Sequence, residues 1–273
     1  MLRSWLDVIV KWRLVAEDFP GGDPEARRHA ALGRCALLEG RLDTADDHFA
    51  RAASLRDNPL DQVGLGDVLL ARGRWREADE RYRRALAAGG PASLLARLGT
   101  AQVMVGEGRA ASAIADLENL VADRPGDRTL RYYLASAWCS VAEQCRSRTA
   151  DDTLVITSER QLLICEQAAT RILALDVGDE ELTRGAEQLL EEVALGRRWT
   201  WVPEGIAVSL AVLTVALGLI TVVAGGLIGS AVLVVLGVLV GAFLVFAIVY
   251  RFRRQTWRRR AAEMAGSIVR PGV

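Results

Sequence analysis

The chain has 273 residues, 51% of them hydrophobic, with 34 basic and 34 acidic side chains. The balance is uneven: residues 251–273 hold seven arginines against Glu263 alone, leaving residues 1–250 with 27 basic and 33 acidic groups, a formal charge of −6. An acidic body excludes nucleic-acid binding, which depends on phosphate neutralisation by clustered Lys and Arg.

Taken in chain order, residues 2–18 place Leu2, Trp5, Leu6, Ile9, Trp12 and Ala16 on one helical face, with Asp7, Lys11, Arg13 and Glu17 mostly off it. This predicts an N-terminal amphipathic helix within residues 1–22, ended by Phe19-Pro20-Gly21-Gly22; Asp23-Pro24 supplies the N-cap and first turn of the next. From there the chain repeats with a period of 33: Leu32-Gly33 returns as Leu65-Gly66 and Leu98-Gly99, Gly40 as Gly73 and Gly106, Ala45 as Ala78, Phe49 as Tyr82 and Ala52 as Ala85. After Gly106 the register slips by two, so that Gly108, Ala113 and Leu117 take the later roles. Each unit reads as a helix, a Gly-Arg turn (Gly40-Arg41, Gly73-Arg74, Gly108-Arg109), a second helix and a break near Pro59, Pro91 or Pro125.

This pattern resembles the tetratricopeptide repeat, a helix-turn-helix unit with Leu-Gly in its first helix, Gly at the turn, then Ala, an aromatic, Ala and a closing Pro. The resemblance implies repeats over residues 24–58, 59–90, 91–125 and 126–178 within a 23–178 α-solenoid. The fourth departs from the pattern between Arg146 and Thr157, after which Ser158 and Gln161 form a capping-box pair. The first-helix tryptophan of the family is absent from all units.

Residues 179–198 read as a helix capping the open end of the stack, with Leu182, Ala186, Leu189, Leu190 and Val193 apolar. Residues 199–250 follow as two transmembrane helices. Residues 206–249 lack a charged side chain for 44 positions, too long for one crossing of about 20 residues and sufficient for two. The spans fall at about 206–224 and 227–250, reversing near Gly225, Gly226, Gly229 and Ser230. Arg197, Arg198, Trp199 and Trp201 mark one membrane surface, with Pro203-Glu204 opening the first span. Tyr250, Arg251, Arg253, Arg254, Trp257, Arg258, Arg259 and Arg260 mark it again in the basic tail, 251–273. By the positive-inside rule the tail is cytoplasmic, and two crossings return the N-terminal domain to the same side. The tail anchors topology and offers charge to anionic lipid. Gly237 and Gly241 have the spacing for close helix contact, serving either packing between the two spans or homo-oligomerisation.

No catalytic constellation emerges, so the chain is expected not to be an enzyme and to need no cofactor or metal. His29 and His48 read as ordinary solvated residues, and the paired acids as helix faces or loops. Cys35, Cys139, Cys145 and Cys165 lack ligand spacing and suit reduced thiols. Lys11 is the sole lysine, and the Arg-, Ala- and Gly-rich composition is that of a GC-rich bacterial genome, placing the protein at a bacterial inner membrane.

If the solenoid binds a partner, the resemblance implies a concave surface of first helices: Arg34, Leu37 and Leu38; Leu60, Val63, Asp67 and Leu70; Ala96, Thr100, Val103 and Met104; Tyr132, Ser136 and Cys139. The family's Lys/Asn/Arg clamp for chaperone tails is mostly missing, with Ala30, Arg34, Gly64, Ser93 and Arg97 at the matching positions. The expected fold is thus all-α, a tetratricopeptide-like α-solenoid followed by a two-helix transmembrane hairpin. The expected role is a membrane-anchored scaffold offering its groove to an apolar protein or peptide. A membrane effector whose hairpin oligomerises to perturb the bilayer is the alternative.

Overall fold

The computed structural model describes residues 8–15, 23–201 and 204–272, with backbone alone at 201, 204–208, 233 and 251–254. The chain divides into two compact units, Met1–Cys145 with Ile164–Leu189 and Arg146–Leu163 with Leu190–Val273.

The first unit is built from helical hairpins: α1 (Pro24–Leu38) with α2 (Leu42–Leu55), α3 (Pro59–Ala71) with α4 (Trp75–Ala88), α5 (Ala92–Gly106) with α6 (Ala110–Asp123), and α7 (Arg128–Cys145). Two helices start as their sequence dictates. Asp23 Oδ1 accepts from Glu25 N at 3.1 Å ahead of Pro24, and Asn58 Oδ1 accepts from Leu60 N at 2.9 Å ahead of Pro59. The Gly-Arg turns are three copies of one closure. Gly40, Gly73 and Gly108 have φ of +74°, +72° and +81°, and Arg41, Arg74 and Arg109 donate their N–H groups five residues back to Ala36, Leu69 and Met104.

Two aromatic rings then set the spacing of the hairpins. A Cβ on Gly64 would lie 2.5 Å from the Phe49 ring and one on Gly33 would lie 3.1 Å from it; Tyr82 stands in the same relation to Gly99, at 2.4 Å, and Gly66, at 2.6 Å. Each ring therefore needs bare backbone in the first helix of its own unit and in that of the next. Arg56 adds a polar staple, meeting the buried Asp61 carboxylate at 2.8 and 3.0 Å where α2 passes to α3. The rest of this unit is the outer part of α8 (Glu159–Ala174) and the start of α9 (Glu180–Arg197). Cys145 and Cys165 are buried there with no disulfide between them, their sulfurs in hydrogen-bond contact at 3.7 Å.

The predicted N-terminal helix is described over residues 8–15, where Val10–Leu14 form a 3-10 turn. Leu2, Trp5, Leu6, Ala16 and Phe19-Pro20-Gly21-Gly22 lie outside the described residues. Lys11, expected off the apolar face, is fully buried; the cause is an acid on α3, described below.

The second unit explains the departure at Arg146–Thr157. β1 (Ser147–Thr149) pairs antiparallel with β2 (Leu154–Val155) on one side and with β5 (Ile268–Arg270) on the other, so the basic tail folds back as a strand. Ser147 Oγ is the knot, with Thr157 Oγ1 at 2.8 Å, Gln161 Nε2 at 3.3 Å and Gly272 N at 3.0 Å. The Ser158–Gln161 pair caps α8 with a variation. Gln161 N donates to Ser158 Oγ at 3.1 Å, while the glutamine carbonyl takes Thr157 N, one residue ahead of the cap.

α10 (Glu204–Ile228) and α11 (Ala231–Phe252) form an antiparallel apolar hairpin. α10 runs through Gly225 and Gly226, and the reversal falls on Gly229, φ +72°, where Ser230 N returns to Gly225 O at 3.0 Å. The hairpin's outer ends are joined by β3 (Trp199–Trp201) pairing with β4 (Arg253–Gln255), followed by α12 (Thr256–Met264).

Candidate functional site

Of the sequence-predicted groove residues, Leu37, Leu60, Val63, Leu70, Ala96 and Val103 share one buried cluster with Val8 and Trp12 of the N-terminal segment. Arg34, Thr100, Met104, Tyr132, Ser136 and Cys139 are half-buried, and Leu38 is exposed. The centre of the predicted groove is therefore filled by the chain itself.

The contacts are polar as well as apolar. Trp12 Nε1 donates to Asp67 Oδ2 at 2.7 Å, and the Lys11 ammonium meets Asp67 Oδ1 at 2.5 Å, where the Tyr82 hydroxyl also donates at 2.5 Å. The same ammonium reaches the Tyr82 hydroxyl at 3.5 Å and stands 4.7 Å from the centre of its ring. The segment's backbone is recognised too: Lys11 N donates to the Tyr133 hydroxyl at 3.1 Å, and Arg34 Nη2 donates to the Trp12 carbonyl at 3.0 Å. Trp12 stacks on Phe49, with centroids 6.1 Å apart and planes 18° apart, and the Arg34 guanidinium lies 5.7 Å from the Trp12 ring centre. α1, α2, α3, α4 and α7 thus each present one side chain to two consecutive residues.

Lys11, Asp67 and Tyr82 are wholly buried. Loss of water is the largest influence on each, pushing Asp67 above the usual carboxylate range, Lys11 below the usual ammonium range and Tyr82 well up. The mutual attraction of Lys11 and Asp67 opposes the shift in both. Beyond the segment the groove continues as a cavity of about 460 Å³ lined by Leu14, Val15, Leu60, Pro91, Arg97 and Arg124 among others.

Sequence reasoning placed Asp67 in the groove and missed its occupants. The available signal was a single lysine, next to a tryptophan, in a chain that otherwise uses arginine. His29 and His48, read as separate surface residues, are hydrogen-bonded to each other through Nδ1 atoms 2.9 Å apart, with the Glu25 carboxylate 3.9 Å from His29. Among the described residues no group of three or more His, Cys, Asp or Glu could hold a metal ion.

In the second unit, the expected interfacial residues gather at the open end of the hairpin. Trp199 and Tyr250 are 54% and 83% exposed. Thr256 donates from N and Oγ1 to Arg198 O at 2.8 and 2.9 Å, and Trp257 Nε1 donates to Gln255 at 2.7 Å. Arg258 and Arg259 are exposed and Arg260 is half-buried; Arg258 lies 5.2 Å from the Trp257 ring centre and Arg259 pairs with Glu263 at 2.7 Å. The side chains of Trp201, Arg251, Arg253 and Arg254, and Pro203, lie outside the described residues.

Gly237 and Gly241 face α10: a Cβ on Gly237 would meet Thr221 at 3.2 Å, and one on Gly241 would lie 3.7 Å from Gly218 Cα. Thr214 and Thr221 return their hydroxyls to carbonyls four residues back, each at 2.8 Å. Ser209–Ile228 is strongly apolar, with a mean hydropathy of 2.4 and only Gly225 buried, and Val234–Tyr250 is a second, shorter apolar stretch.

Together the repeats and the filled groove define a tetratricopeptide-like helical-repeat protein. No family model matches the chain, and no curated protein matches its sequence. Among solved structures it is similar to MamA residues 41-end from Desulfovibrio magneticus RS-1, with TM-score 0.43 and 16% identity over 64% of this chain and 96% of that one. A MamA RS-1 ArsTM double mutant gives 0.43 and 16% over 64% and 95%. A TPR repeats protein (BF2334) from Bacteroides fragilis NCTC 9343 gives 0.36 and 11% over 89% and 96%. The tetratricopeptide-like assignment rests on the period of 33 and on the Phe49 and Tyr82 packing that realises it.

Proposed function

We propose that this protein is a membrane-anchored scaffold whose α-solenoid holds a protein or peptide partner, without catalysis of its own. The observation that carries the reading is the groove: it already grips a short peptide segment by side chains and by backbone, the manner in which helical-repeat surfaces hold ligands. Two of its polar atoms, Arg34 Nη1 and Thr100 Oγ1, are buried without a hydrogen-bond partner among the described residues and suit a longer ligand backbone.

The anchor is the α10–α11 hairpin. Its outward side chains include Leu227, Ile228 and Val232 at 84%, 72% and 76% exposure, apolar surface that a bilayer covers at no cost. β3–β4 pairing holds both ends of the hairpin together, which supports two crossings with the tail and the preceding domain on the cytoplasmic side of a bacterial inner membrane. Exposed Arg258 supplies charge for anionic lipid. The contacts of Gly237 and Gly241 with α10 favour hairpin closure over homo-oligomerisation, and no observation favours the membrane-effector alternative.

The test is proximity labelling in native membranes with the full chain and with M104E, which puts a charge on a half-buried groove position. A protein enriched by the wild type and lost with M104E upholds the scaffold. Equal recovery with both, or none with either, sinks it. Val63→Glu is the poorer probe, since Val63 is fully buried and its loss would act through folding.

A further inference from the structure

Residues 8–15 sit in the groove as a ligand would. A segment that only completed a core would be served by apolar side chains, because burying an ion pair gains little over apolar residues of equal size and is retained where it selects one arrangement. Here the sole lysine of the chain is wholly buried against Asp67, the neighbouring tryptophan donates to the same carboxylate, and both partner tyrosine hydroxyls are directed at Lys11. Removing Lys11 and Trp12 would leave Asp67 buried with the Tyr82 hydroxyl as its remaining donor among those described above, a site that demands a cation and an indole N–H together.

Resting on the scaffold reading above, we propose that the groove is a receptor for a Lys-Trp pair presented on a single helical turn, with an apolar residue three positions before the lysine, where Val8 stands. Residues 8–15 are its tethered occupant, and a partner segment with the same pair enters by displacing them. Lysine is required over arginine because a compact ammonium fits between the carboxylate, the hydroxyl and the ring face of Tyr82, where a planar guanidinium is longer and wider. The covalent tether makes the groove selective: a competitor must exceed the effective concentration that attachment gives the chain's own segment.

The experiment uses the full chain in lipid nanodiscs and a fluorescent synthetic peptide with the sequence of residues 8–15. Anisotropy should show saturable binding to K11A/W12A, in which the groove is vacated. Binding should be roughly a hundredfold weaker when D67N is added to that background, and similarly weaker for peptides with Lys→Arg or Trp→Ala. Wild type should bind the peptide more weakly than K11A/W12A. Absence of binding to a K11A/W12A protein with wild-type circular dichroism, or binding indifferent to D67N, overturns the proposal.

Should K11A/W12A fail to fold, the wild-type chain decides through its single side-chain amine. Lys11 should resist an amine-reactive ester, against the exposed amine introduced by R76K as internal standard, and should become reactive when the peptide is added in excess; unchanged protection overturns the proposal. The outcome is separable from the scaffold reading. Partner recovery lost with M104E but no peptide binding defeats only the Lys-Trp assignment, whereas peptide binding without any recovered partner defeats the scaffold and leaves the groove's specificity standing.

Discussion

Asp67 is the residue on which the groove turns, because it accepts from Lys11, Trp12 and Tyr82 at once while wholly buried. Removing one charge of such a pair strands the other. K11M is therefore expected to cost about 3–5 kcal/mol in denaturant unfolding, while K11M with D67L should be near neutral. The pH dependence of K11M has a defined sign. Burial raises the folded-state Asp67 pKa above its unfolded value, and without the lysine it rises further, so the folded state binds a proton more readily than the unfolded one. The deficit of K11M relative to wild type should accordingly shrink as pH is lowered from neutral toward the carboxylate range, as followed by urea midpoints at each pH. Asp67 was legible in the sequence as a groove residue, but Lys11 was not. A charged side chain off the apolar face of an amphipathic segment reads as solvated, and only the distant partner on α3 reverses that.

The repeating elements were the most legible part of the chain, because each period-33 position has a local physical cause. Gly40, Gly73 and Gly108 lie in the left-handed region that closes a helix, so G73A should cost about 1–2 kcal/mol by thermal or chemical unfolding. Gly64 and Gly99 differ, being intolerant through space and not through backbone angle. A methyl at either would be driven into Phe49 or Tyr82, and G99A should destabilise by about 1–3 kcal/mol unless Tyr82 is shortened with it. The fourth unit was not legible between Arg146 and Thr157, since one of β1's two partners is a strand more than a hundred residues later. S147A tests that pairing: by leaving Gln161, Thr157 and the Gly272 amide short of a partner it should cost about 1–3 kcal/mol and hasten proteolysis of the C-terminal strand.

For the molecule as a whole, its apolar run predicted a helical pair, and the structure places the reversal on Gly229 with the outer ends clasped by β3 and β4. If the hairpin crosses a bilayer, cysteines substituted at Arg76 and at Arg258 should react with an impermeant maleimide from the cytoplasmic face alone, and one substituted at Gly229 from the opposite face. Labelling of the first two from opposite faces would exclude a two-crossing hairpin.

The β1–β5 ladder carries one more implication, for biogenesis. β1 and β2 leave the ribosome before either apolar helix has been made, whereas their third strand emerges after both. The sheet stays open on one edge throughout synthesis of the hairpin and closes only when the C-terminal strand arrives beside β1, so its completion reports that the two intervening helices have folded back on one another.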